Sequence, residues 1–216
     1  EDGALNKEAF AALTGFEVLV PSADKESHMV VTEGDNKYVK KAADTSAIIT
    51  FKDLGNTLGA GKFAFSMDIR LDGKTANSGL ISIKDAVGDG TEHRIISIWQ
   101  GEKLRLGKNG GPNFLEIGED WFNVRVVVDP STYDYEIHID GEKVLYTTYD
   151  ESVDTKHLLW TLEGGEWTSA PLAKTHISEN VIPSDPSVGV SRIYLFHWSG
   201  TPLSYDNMRL EFLSVE

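Results

Sequence analysis

The chain has 216 residues, 40% hydrophobic and 10% aromatic, with no cysteine and a formal net charge of −14. The charge disfavours nucleic acid and anionic membranes as partners, and the lack of thiols excludes disulfides, thiolate metal sites and a cysteine nucleophile. No apolar run approaches the roughly 20 residues that a membrane-spanning helix needs, so no membrane insertion is expected.

Asn6 is placed to cap, and Gly15 to end, a short helix around Lys7 to Leu13. In KFAFSMDIRL, Phe63, Phe65, Met67, Ile69 and Leu71 share one face and Ser66, Asp68 and Arg70 the other, the alternation of a half-buried strand. GLISIKD repeats it with Ile81 and Ile83 inward and Ser82 and Lys84 outward. HRIISIWQ follows with Ile96 and Ile98 inward and His93, Ser97 and Trp99 outward. A short hairpin is expected through Gly101 to Leu106, and the Gly-rich GKNGGPN reads as a loop. WFNVRVVVD turns Val124, Val126 and Val128 inward, and YEIHID does the same with Tyr135, Ile137 and Ile139. Asp140-Gly141 then signals a tight hairpin into VLYTTY.

From Asp150 to Ser187 the periodicity fades, and the region reads as a strand plus long loops carrying Trp160, Trp167 and His176. RIYLFHWSG allows two registers. Either Ile193 and Leu195 face the core and Arg192, Tyr194, Phe196 and Trp198 face out, or His197 faces out and the aromatics are core. The second is favoured, because large apolar rings on a bare surface are costly. NMRLEFLSV closes the chain with Met208, Leu210 and Phe212 inward. Many strands with almost no helix predict two packed antiparallel sheets in one domain, residues 1–45 forming an N-terminal segment and 46–216 the core. A start at Glu1-Asp2-Gly3 suggests a mature or excised piece of a larger, secreted or cell-surface multidomain protein.

The succession GKFAFSMDIRL, SGLISI, WFNVRVVVDPSTYDYEIHIDGEKV and YDNMRLEF resembles the concanavalin A-like lectin/glucanase superfamily, including its laminin G-like domains. W-x-x-V-x-V-x-V-D followed by I-x-I-D-G, opening at Trp121, is its most telling part. The resemblance covers residues 46 to 216 and implies an all-β, two-sheet antiparallel jelly-roll sandwich. That fold carries lectins, carbohydrate-binding modules, glycoside hydrolases and polysaccharide lyases alike. The superfamily's retaining glucanases carry Glu-x-Asp-x-Glu on one strand of the concave face, where paired carboxylates cleave the glycosidic bond. The matching strand here reads His93-x-Ile95-x-Ser97-x-Trp99 and has no carboxylate, which argues against that mechanism.

The resemblance therefore implies a concave surface shared by Arg70, Lys84, His93, Ser97, Trp99 and Tyr194. There Trp99 would stack on a sugar while its neighbours hydrogen-bond to hydroxyls or a carboxylate. The function expected first is non-catalytic recognition of a polysaccharide or oligosaccharide. A lyase is the alternative, with Arg70 neutralising a uronate, Lys84 or His93 as base, and Tyr194 or Tyr205 moving a proton. A third reading is a laminin G-like adhesion domain with a protein partner. Trp160 and Trp167 are further candidates for sugar stacking from loops. Asp206, in SYDNMRL, resembles the acidic residue that helps bind a structural calcium ion in secreted β-sandwich modules.

Overall fold

The computed structural model describes residues 2–20, 28–41, 48–55, 57, 61–71, 78–85, 94–100, 103–107, 111–116, 118, 120–173, 189–197 and 203–213. Two antiparallel sheets pack face to face. One has ten strands, in the order β1 (Gly3–Leu5), β3 (His28–Glu33), β4 (Asn36–Lys41), β17 (Leu203–Phe212), β6 (Phe63–Leu71), β11 (Phe122–Val128), β12 (Tyr135–Ile139), β13 (Glu142–Tyr149), β14 (His157–Glu163) and β15 (Glu166–Pro171). The other has seven, in the order β10 (Asn113–Glu116), β9 (Lys103–Leu106), β8 (Arg94–Gln100), β7 (Ser78–Asp85), β16 (Val190–His197), β5 (Ile48–Asp53) and β2 (Glu17–Val20).

The alternation read from the sequence builds the space between the sheets. Phe63, Phe65, Met67 and Ile69 of β6, with Val124, Val126 and Val128 of β11, meet Ile81 and Ile83 of β7 and Ile96 and Ile98 of β8 in one buried cluster. Each such side chain contributes about 1.5–3 kcal/mol on burial, so a strand that presents four of them has its face chosen firmly. The β12–β13 turn has positive φ at Asp140 (50°) and Gly141 (85°), the backbone that a two-residue hairpin needs and that this pair adopts readily.

The predicted helix is α1 (Lys7–Thr14). Asn6 Oδ1 accepts from the Ala9 amide at 2.8 Å, and Gly15, at φ 71°, donates its own amide to the Ala11 carbonyl at 2.8 Å. Phe10 of α1 stacks on His28 with centroids 4.1 Å apart and meets Tyr205 edge-on at 6.4 Å. Burial, aided by the charge of Lys41, pushes the His28 pKa down to about 3. The first 45 residues join both sheets: β1, β3 and β4 extend the larger one beside β17, and β2 extends the smaller beside β5.

Three expectations are corrected. Phe212, expected inward, is 51% exposed at the end of β17, while Met208 and Leu210 pack against the core. The stretch after Asp150 contains a β14–β15 hairpin that turns at Gly164-Gly165, where a single strand with loops was expected. In β16, Ile193 and Leu195 pair with Ile83 and Ile81 and enter the core, so Arg192 and Tyr194 take the opposite face. The exposure that argued against this register does not arise, because Tyr194 is buried there. Trp198, His176 and the side chains of Phe196 and His197 lie outside the described residues.

Candidate functional site

The outer face of the seven-stranded sheet gathers several of the predicted residues. Ser82 lies between Ser97 and Tyr194 in the strand register, Lys84 beside Arg192, and Trp99 beside Arg105. Lys84 Nζ sits 4.1 Å from the centre of the Tyr194 ring, and Arg192 donates to the Tyr194 hydroxyl at 3.2 Å while also engaging Asp53. The Trp99 indole N–H donates to Ser97 Oγ at 2.8 Å, and the Ser97 and Ser82 hydroxyls are 3.2 Å apart. Lys84, Ser97, Trp99 and Tyr194 thus come together, but as a covered layer: Trp99 is 6% exposed, Tyr194 5% and Lys84 7%. The expectation that Trp99 offers an open ring to a sugar is corrected by its burial and by the internal acceptor that holds its N–H. His93 lies outside the described residues.

Arg70 does not join them. It is on β6, which pairs with β11 and β17 in the other sheet, and the alternation along a strand does not tell which sheet the strand enters. There it donates to Glu33 Oε2 at 2.7 Å and to the Tyr38 hydroxyl at 2.8 Å, with its guanidinium carbon 5.0 Å and 5.1 Å from the ring centres of Tyr38 and Trp121. Tyr205 is a core residue with no exposure, and burial raises its pKa. This corrects its candidacy as a proton carrier in a groove. Asp206 accepts the Asn207 amide at 2.8 Å where β17 bulges, and Asn207, at φ 50°, donates its side-chain amide to Asp68 at 2.6 Å. Among the described residues no three His, Cys, Asp or Glu side chains converge as metal ligands.

The far end of the ten-stranded sheet carries a different group on its outer face. Tyr146 of β13 lies opposite Trp160 of β14, and their rings are parallel within 1°, with centroids 5.6 Å apart. Trp167 of β15 meets Tyr146 edge-on at 4.9 Å. The Trp160 indole N–H donates to Thr148 Oγ1 at 3.0 Å, which fixes the ring's rotation. All three rings are partly exposed, and Leu162 beside them is 48% exposed. The two tryptophans were expected on loops; the structure puts both on strands.

Polar groups flank the rings. Glu136 of β12 pairs with Tyr146 and receives His138 Nε2 at 2.9 Å and Lys143 Nζ at 3.0 Å. Burial alone would raise the Glu136 carboxyl, but the hydrogen bonds and charges of Lys143 and His138 outweigh it and hold the pKa below the usual range. Lys143 Nζ also lies 5.1 Å from the centre of the Tyr146 ring. Tyr146 was missed by sequence reasoning. The Asp140-Gly141 turn by itself would set Tyr146 opposite the inward Tyr135; an irregularity in the β12–β13 ladder between Ile137 and His138 brings it opposite Glu136 instead, on the outer face, and no sequence pattern announced that shift. Rings held edge and face, with a carboxylate, an imidazole and an ammonium beside them, can stack on the apolar face of a pyranose and hydrogen-bond to its hydroxyls.

No family model and no curated protein matches the sequence. Among solved structures, a carbohydrate esterase from the Shiga toxin-encoding bacteriophage phi24B superposes with a TM-score of 0.56 at 14% identity, over 98% of this chain and 100% of the phage protein. A sialidase superposes with a TM-score of 0.51 at 12% identity, over 97% of this chain and 18% of its own length. At such identities the likeness is one of fold: an all-β, two-sheet antiparallel sandwich that matches the phage protein along its whole length and a minor share of the sialidase.

Proposed function

We propose that this chain is a carbohydrate-binding domain of the concanavalin A-like kind, recognising a polysaccharide or oligosaccharide without catalysis, as an extracellular module of a larger polysaccharide-handling protein. The observation that carries the reading is the cluster of Tyr146, Trp160 and Trp167, partly exposed on one sheet face and fixed by one another and by Thr148. Soluble proteins rarely leave several large rings contiguous and uncovered without a ligand for them. Rings already held in place lose little conformational freedom on binding, so most of the stacking energy appears as affinity. The fold likeness to proteins named as a carbohydrate esterase and a sialidase is in keeping with this reading.

Affinity electrophoresis through gels containing soluble polysaccharides tests it. Retardation by at least one polysaccharide is expected, and Trp160→Ala or Tyr146→Ala should abolish it while Lys84→Ala leaves it in place. Retardation that survives both ring substitutions would sink the reading.

A further inference from the structure

We infer that the ligand of the Tyr146, Trp160 and Trp167 cluster is an uncharged pyranose chain with mainly equatorial hydroxyls, not a uronate-bearing or sulfated one. This inference rests on the binding reading given above.

Among the described residues, the cations beside the rings and along the neighbouring strands β11, β17 and β6 that pair with carboxylates are these. Lys143 and His138 both bind Glu136, at 3.0 and 2.9 Å. Arg125 donates to Glu211 Oε2 at 3.0 Å, Arg209 engages the other oxygen of the same carboxylate, and Arg70 is held by Glu33 at 2.7 Å. A uronate or sulfate arriving beside the rings would have to take Lys143 from Glu136, leaving that half-buried carboxylate without its strongest partner. The hairpin that carries both tryptophans adds no attraction. Its one histidine, His157, is buried with its ring nitrogens on the Thr155 and Thr132 carbonyls, and the rest of the hairpin holds Glu163 and Glu166 and no Lys, Arg or His. The chain's charge of −14 opposes a polyanion at longer range as well.

A neutral chain meets none of these costs. Glu136 can accept from two neighbouring hydroxyls while keeping its bonds to Lys143 and His138, because a carboxylate offers about four lone-pair sites. The aromatic faces need a sugar that presents C–H groups flat against them, which equatorial hydroxyls allow and axial ones obstruct.

The test is a panel of soluble polysaccharides, neutral, uronate-bearing and sulfated, titrated against the intact chain and against Trp160→Ala, Trp160→Phe and Glu136→Gln at low and moderate salt. Binding of neutral members is expected, nearly independent of salt. It should weaken about tenfold or more in Trp160→Ala, be largely kept in Trp160→Phe, and weaken in Glu136→Gln. The Phe variant guards against misreading a folding defect. Tighter binding of a charged member that also depends on Trp160 would overturn the inference and leave the binding reading standing. Binding of no member, or binding that ignores Trp160, would remove that reading and the inference with it.

Discussion

The two outer faces of the sandwich use similar side chains to opposite ends. On the seven-stranded sheet, Trp99 and Tyr194 are covered, and their polar atoms are taken up by Ser97 and Arg192. On the ten-stranded sheet, Trp160 and Tyr146 are also hydrogen-bonded or packed, yet their rings stay partly open. An outward aromatic on a strand is therefore no sign of a ligand by itself. What matters is whether anything lies over it, and the predictions that follow try to pull the two faces apart.

The largest effect is expected from Trp99→Ala. Emptying a covered site should cost about 3–5 kcal/mol in denaturant unfolding, whereas Trp160→Ala, whose ring is already part-solvated, should cost less than half of that and act mainly on glycan affinity. Equal losses would erase the distinction between the faces.

Acid titration offers a second contrast. Since His28 is held neutral with its pKa near 3, the unfolded chain binds a proton that the folded one refuses as pH falls below its ordinary 6.5. Stability should decline from about pH 6.5 toward 3, by on the order of a few kcal/mol, and His28→Leu should flatten this limb. Glu136, on the open face, works later: its depressed pKa contributes stability above the usual carboxylate range, lost only as pH drops through its folded value. Glu136→Gln should lower stability at neutral pH and remove this decline below about pH 4.5.

Ser97→Ala leaves the buried indole N–H of Trp99 without its acceptor and should cost about 1–3 kcal/mol. Thr148→Val makes the corresponding change on the open face, where water can replace the lost acceptor, and should cost under about 1 kcal/mol. The smallest effect sharpens the local reading alone: Asn6→Ala removes the helix cap and should cost about 1 kcal/mol.

Local chemistry was legible wherever neighbours in sequence decide the outcome. Asn6 and Gly15 bounded α1, Asp140-Gly141 made its hairpin, and the alternation in β6, β7, β11 and β12 named the core. The β14–β15 hairpin was not legible for a physical reason. Nearly all of β15 is exposed and it is an edge strand, so no alternation of apolar and polar residues is imposed on it. The candidate site suffered from the same gap, since its tryptophans stand where periodicity is absent.

The amino-acid sequence alone determined the two-sheet sandwich, because period-two burial of large apolar side chains outweighs every other local preference. It also determined that the strand at Ser97 and Trp99 carries no alternating run of carboxylates. Only tertiary structure decided that Arg70 and Lys84 stand on different sheets, that Trp99 is covered, and that Tyr146, Trp160 and Trp167 meet in the open. Sheet membership and solvent cover arise from contacts between residues far apart in the chain, such as Tyr205 of β17 against Ile69 of β6, and no local pattern encodes them.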